Sequence, residues 1–261
     1  MFKVPFLYLT KLVETFFRKP LMRHLAGKFP RLFSFLKKRF KPGVFSGLPL
    51  TVLLILICVN LIMLSEIAEH AVNSEKVKLL DIEVTAWFFN LRTPFLNKAF
   101  YYFTQIGTVY GVTAGTVLVG LVLLWQRRGF HLLALLISVL GSSLSMYYSK
   151  IYFHRERPLN VAYYIPENSF SFPSGHATSA MALAGLICYF FLIEIENKKL
   201  RLGLFFLGVS YILLIGLSRI YLGVHFLTDV AAGYLLGLLW VIVAIGLMEY
   251  SAISKEKQKI E

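Results

Sequence analysis

Six apolar runs, at residues 47–65, 101–125, 130–149, 174–195, 203–219 and 226–248, limit this chain more than any other feature. Each is close to the roughly 20 helical residues that cross the hydrocarbon core of a bilayer. Gly, Ser and Tyr interrupt several of them, which helix bundles accept because small residues let backbones approach. Composition agrees: 57% of the 261 residues are apolar and only 16% are charged, too few charges to coat a soluble globule. The predicted fold is all-α, an integral membrane bundle of six transmembrane helices.

Three segments follow. Residues 1–46 are basic and aromatic, and Pro20, Pro30 and Pro42 break any helix there into short pieces. The stretch from Phe29 to Phe40 mixes bulky apolar residues with a basic cluster. It suits either a helix lying in the membrane interface on anionic headgroups or a solvated tail that holds the N-terminus in the cytoplasm. So long a basic region ahead of the first apolar run is not expected of a cleaved signal peptide. Residues 47–250 form the membrane domain and 251–261 a short tail. Within the domain, 66–100 is polar and then amphipathic, with Trp87, Phe88 and Phe89, and reads as an interfacial helix followed by a turn at Thr93-Pro94.

Charge placement orients the helices. With the N-terminus inside, the segments 1–46, 126–129, 196–201 and 251 onward hold 19 of the 27 Lys and Arg residues. That asymmetry follows the positive-inside rule and predicts cytoplasmic N- and C-termini. It also accounts for the net charge of +13 by membrane flanks, so nucleic acid is not an expected partner. Cys58 and Cys188 lie inside apolar runs and read as small core hydrophobes.

The outer segments are then 66–100, 150–173 and 219–225, and here sit ionisable residues that lipid would penalise. They form three clusters: Lys150 to Arg157-Pro158, Pro173-Ser174-Gly175-His176, and Ser218-Arg219 to His225 and Asp229. Lys150, Arg157 and Arg219 bring three positive charges, and guanidinium forks match phosphate oxygens in pairs. Ser174 and Gly175 stand where a helix begins, and open N–H groups there bind anions. Alone, the same Pro-Ser-Gly is also a plain helix cap. His225 and Asp229 are four apart, so on a helix they share a face. A carboxylate on one ring nitrogen fixes the tautomer and frees the other to attack. His176 is placed to protonate a departing alkoxide. Singly, each histidine also reads as a hydrogen-bonded bundle residue. His225, Asp229 and His176 could together hold zinc, but three nearby cations oppose a divalent metal and favour phosphate.

In these residues the chain resembles the type 2 phosphatidate phosphatase and vanadium haloperoxidase superfamily. Its signature is Lys, six residues, Arg-Pro; then Pro-Ser-Gly-His; then Ser-Arg, five residues, His, three residues, Asp. All three parts match, between Lys150 and Asp229. The resemblance implies that His225 is the nucleophile forming a phosphohistidine, that Asp229 orients it, and that His176 protonates the leaving group and then activates water. It implies that Lys150, Arg157, Arg219, Ser174 and the Gly175 N–H hold the phosphate, with no cofactor and no metal. A membrane chain resembles the lipid phosphatase branch, whereas the haloperoxidases are soluble. The expected substrate is a membrane lipid phosphate or diphosphate: undecaprenyl diphosphate, phosphatidylglycerophosphate or phosphatidate. The site would face the outer side of a bacterial plasma membrane. Transfer of phosphate to an acceptor lipid uses the same residues, and an anion or lipid-phosphate transporter is the non-enzymatic alternative.

Overall fold

A computed structural model describes residues 15–39, 47–159, 161–164 and 169–258. Expectations for residues 1–14, 40–46 and 259–261, including the break at Pro42, lie outside the described residues. The described residues are helical or in connecting turns, and fall into two compact units. One holds the described residues up to Cys58 and from Gly246 onward; the other is Val59–Ile245.

In the first unit, α1 (Pro20–Lys28) and α2 (Pro30–Arg39) each begin at a proline, whose fixed φ suits the first helical position. On α2, Leu32 and Phe35 are exposed, as is Phe29 just before it, while Lys37, Lys38 and Arg39 fill its last turn. Cys58 is exposed, contrary to the core reading, because it lies on a face of its helix that the described residues leave uncovered; Cys188 is buried as expected.

The remaining helices are α3 (Leu48–Asn73), α4 (Glu75–Asn90), α5 (Pro94–Thr104), α6 (Val109–Trp125), α7 (Gly129–Phe153), α8 (Gly175–Glu194), α9 (Lys198–Tyr221) and α10 (Leu227–Gln258). Five of them, α3, α7, α8, α9 and α10, are long and apolar enough to cross a membrane. The sixth predicted span falls on a bent pair of helices, which makes a sixth candidate only when the two are counted as one: α5, with the 3-10 turn Gln105–Gly107, and α6 meet at a 48° bend. Thr108 causes the break. Its backbone is extended, and its hydroxyl accepts from Gly111 N to start α6 afresh. Thr93 does the same for α5, with Pro94 at the first position, so the expected turn is where the sequence put it.

α8 sits centrally, packed against α7 and α9. Ala177, Ala180 and Ala182 are fully buried along it, small enough for close helix approach. Ser138 of α7 donates to Ala182 O at 2.9 Å, and Tyr234 of α10 donates to Ile212 O of α9 at 2.9 Å. On α4, Val84 and Phe88 pack on Ala177, Ile220 and Val230, so this amphipathic helix covers the ends of three others.

Candidate active site

Backbone hydrogen bonds stitch the three polar clusters together at one end of the second unit. Ser174 N donates to Asp229 O at 2.9 Å, Ser171 N to Arg155 O at 2.8 Å, and Tyr163 N to Leu222 O at 2.9 Å. A Cβ on Gly233 would stand 2.7 Å from Ser174 O, so only glycine lets α10 lie this close to the start of α8. The eight residues singled out in the sequence therefore come from a few helix ends and the loop and turn beside them.

His225 is not on a helix. α9 stops at Tyr221, Gly223 takes a left-handed φ of 70°, and α10 begins only at Leu227. The expected shared helical face is thus replaced by a turn. Asp229, in the first turn of α10, reaches back, accepting from Phe226 N at 2.9 Å and lying 3.4 Å from His225 Nδ1. The predicted pairing holds by another route.

The second ring nitrogen fixes the tautomer. Arg157 Nη1 lies 3.1 Å from His225 Nε2. Guanidinium can only donate, so Nε2 must present its lone pair, and the ring proton resides on Nδ1 facing Asp229. Complete burial, then the charges of Arg157, Arg219 and Lys150, hold this imidazole well below its usual 6.5. His225 is therefore a neutral base with a lone pair aimed at a cation.

The other predicted residues surround it. Lys150, in the last turn of α7, donates to Phe170 O and lies 3.4 Å from Ser169 Oγ. Arg157 also donates to Ser169 O and Val224 O, each at 2.9 Å. Arg219, in the last turn of α9, is buried and donates to Thr104 Oγ1 at 3.1 Å. His176, in the first turn of α8, is within electrostatic reach of Arg219, His225, Arg157 and Lys150. Ser174 stands at the cap position of α8, but its side chain makes no capping bond. Ser174 Oγ and His176 Nε2 are both buried without a hydrogen-bond partner among the described residues. Buried polar atoms are normally satisfied. A Cβ on Gly175 would meet only Met146, at 3.5 Å or more, so packing alone does not demand glycine there. Among the described residues no group of three or more His, Cys, Asp or Glu has metal-binding geometry.

Sequence reasoning missed three residues. Arg155 was within the first cluster but without a role; it donates to Asp229 Oδ1 at 2.6 Å and to Asp81 Oδ2 at 2.7 Å. Thr228 N donates to Asp81 Oδ1 at 3.1 Å. The available signal was Asp81 itself, an acid spaced i, i+3, i+4 and i+7 with Val84, Thr85 and Phe88 on the buried face of α4.

Comparison with known proteins places this geometry. Residues 131–252 match the model of the PAP2 superfamily. Phosphatidylglycerophosphatase B of Bacillus subtilis is 30% identical over 203 residues, 77% of this chain and 98% of that protein. A dihydrosphingosine 1-phosphate phosphatase of Schizosaccharomyces pombe is 38% identical over 74 residues, covering 27% of this chain and 18% of its own. In structure, the chain is similar to a transmembrane PAP2 type phosphatidylglycerolphosphate phosphatase from Bacillus subtilis. The TM-score is 0.69 at 28% identity, over 74% of this chain and 96% of that one.

Proposed function

The chain belongs to the PAP2 superfamily and is a membrane lipid phosphatase, and from that premise we propose that it dephosphorylates a phosphatidylglycerophosphate-like lipid through a phosphohistidine on His225. The Nε2 lone pair of His225, facing Arg157 at 3.1 Å while Nδ1 faces Asp229, is the observation that carries this reading. Among the substrates that fit the residues, phosphatidylglycerophosphate is favoured because the relative matched over nearly its whole length is a phosphatidylglycerophosphatase.

Two in-line displacements make up the cycle. His176 takes up a proton as the dianionic phosphate binds beside it; Nε2 of His225 then attacks phosphorus, the N–P bond forms as the P–O bond to the lipid breaks, and the leaving oxygen takes that proton from His176. The phosphorylated ring is cationic, and Asp229 on Nδ1 stabilises it. His176, now neutral, takes a proton from water as that water's oxygen forms a bond to phosphorus. The P–N bond breaks, inorganic phosphate leaves, and His225 returns to its starting tautomer. Lys150, Arg157 and Arg219 supply the charge that the transferring group needs, as positioned cations do in phosphoryl transfer. Ser174 Oγ and the Gly175 N–H, at the start of α8, complete the cradle. No step uses a divalent metal, and turnover persists in excess EDTA.

The distribution of Lys and Arg among the loops supports a site that opens on the outer side of the membrane, by the positive-inside rule. Labelling of Leu159→Cys by an impermeant maleimide in intact cells, in a chain with Cys58 and Cys188 replaced by alanine, checks that orientation.

Purified protein and its His225→Ala variant, assayed for phosphate release from phosphatidylglycerophosphate, test the proposal. The variant folds, as judged by its elution and melting temperature in detergent, and loses at least about 10⁴-fold in kcat, the scale of removing a covalent nucleophile. A few-fold loss would overturn the phosphohistidine. Undecaprenyl diphosphate or phosphatidate turning over much faster would move the substrate assignment and leave the mechanism standing.

A further inference from the structure

We infer that Asp81 and Arg155 form a positioning pair for the nucleophile, clamping Asp229 onto His225 from behind. This rests on the phosphohistidine reading above and deepens it.

The geometry is a chain of buried charges. Asp81 and Asp229 have no exposure, and the Arg155 side chain is only 10% exposed. One guanidinium joins both, Nη2 to Asp81 at 2.7 Å and Nη1 to Asp229 at 2.6 Å. Asp229 carries Arg155 on Oδ1 and His225 with Phe226 N on Oδ2. Its plane and distance from the imidazole are therefore set by what holds Arg155. Asp81 is one such anchor: it also takes Thr228 N at 3.1 Å and the Thr228 hydroxyl at 2.5 Å, and Arg155 Nη1 donates to that hydroxyl at 2.7 Å. The Phe226 ring is the other, with the guanidinium carbon 4.6 Å from its centroid.

A purely structural tie would not need this chemistry. Burying a carboxylate costs several kcal/mol, and well-packed apolar residues usually stabilise a buried position as well as an ion pair does. Orientation of a reacting group does need it, because groups that hold a first-contact ligand fix its direction and basicity. The fork matters too: only arginine presents two parallel donor nitrogens to two separate carboxylates, which lysine cannot. Asp81 lies on α4, outside the residues 131–252 that match the superfamily model. This chain thus brings in a residue beyond the matched region to complete the back of its nucleophile.

Full-length protein in detergent, with phosphatidylglycerophosphate as substrate, tests the pair through Arg155→Met, Arg155→Lys, Asp81→Asn and the double variant Asp81→Asn/Arg155→Met. The charged and titratable groups around His225 are Asp229 on α10, Lys150 on α7, His176 on α8, Arg219 on α9, and Arg155 and Arg157 from the loop, with Asp81 behind. Removing Arg155 takes away the cation on the orienting carboxylate, so the acid limb of kcat/KM moves to higher pH. Arg155→Met lowers kcat about 10–100-fold with KM little changed, the scale of losing a supporting partner. Arg155→Lys recovers part of that loss. Asp81→Asn also lowers kcat, and the double variant is no worse than Arg155→Met, because Asp81 acts through Arg155. A native kcat and pH limb in Arg155→Met overturns the inference, as do additive losses in the double variant. Losses of kcat that only track melting temperature overturn it as well. If Arg155→Met yields no folded protein, Asp81→Asn decides on the same two readouts, and a native kcat and limb there is equally fatal. An active His225→Ala would sink the phosphohistidine itself. An inactive His225→Ala beside a native-like Arg155→Met sinks only the positioning pair.

Discussion

Arg157 Nη1 stands 3.1 Å from Nε2 of His225, on the opposite side of the ring from Asp229. A permanent donor there and a carboxylate on Nδ1 leave the imidazole one comfortable state, neutral and protonated on Nδ1. The cation that prepares the lone pair is also one that would bind the phosphate which replaces it as the partner of Nε2.

The first prediction concerns pH. Burial and three cations depress the pKa of His225, so this proposed nucleophile stays unprotonated to pH values below 6.5. Protonation removes the lone pair, so the acid limb that this group gives to kcat/KM lies below 6.5, not at it. Arg157→Met removes one depressing charge, and the limb then moves upward, toward 6.5. Rate profiles of both proteins between pH 4.5 and 8 measure the difference; a limb that stays put or moves down contradicts the assignment.

Arg157→Lys is not a conservative change. The guanidinium bonds at once to Ser169 O, Ser169 Oγ, Val224 O and His225 Nε2. An ammonium keeps the charge but loses the planar fork that spans them. The expected loss in kcat/KM is about 10²–10³-fold, as for removal of one positioned donor at a developing negative charge. Initial rates on phosphatidylglycerophosphate check it.

Much of this was legible in the sequence, for physical reasons. Hydropathy marks spans because lipid demands it, and the fixed spacings within the three clusters correspond to helix ends that the fold brings together. What was not legible depended on local backbone and distant partners. The run 101–125 looked continuous, because an apolar composition does not reveal that Thr108 would cap a new helix at a bend. The first run was read as ending at residue 65, with Glu66 opening a polar stretch. The helix continues to Asn73, since polarity alone does not end helices and the extended backbone of Ser74 does. His225 and Asp229 were placed on one helix by counting, whereas the left-handed Gly223 puts His225 in a turn. Asp81 was passed over because its partners, Arg155 and Thr228, are 74 and 147 residues away.

Thr104→Val tests how Arg219 is held. Thr104 has no exposure, and its hydroxyl accepts from Arg219 Nη1 at 3.1 Å. Valine keeps the shape and removes the acceptor, so the guanidinium loses an anchor on the α5 side of the site. A hydrogen bond to a charged group is worth about 1.5–3 kcal/mol, which corresponds to a loss of about tenfold or more in kcat/KM if it serves the transition state. Phosphate-release kinetics read that loss, and an unchanged rate would mean that Arg219 is placed by its other contacts.

Gly223→Ala makes the sharpest prediction about how the turn before His225 is built. At a φ of 70°, a residue with a Cβ is strained by about 1–2 kcal/mol. The added carbon would also press on Val161 O and on the Arg92 guanidinium. Those two groups are bonded to each other, Arg92 Nη1 donating to Val161 O at 2.6 Å, and Arg92 Nε donates to Tyr221 O at 2.8 Å. This knot ties the α4–α5 turn and the 161–164 segment to the end of α9, four residues before His225. Alanine therefore lowers the melting temperature in detergent and also lowers kcat, because relief of the clash displaces the backbone that carries the proposed nucleophile, His225. Arg92→Met loosens the same knot without straining φ, so it lowers kcat less. A Gly223→Ala protein with native melting and native kcat would show that the left-handed turn does not position His225.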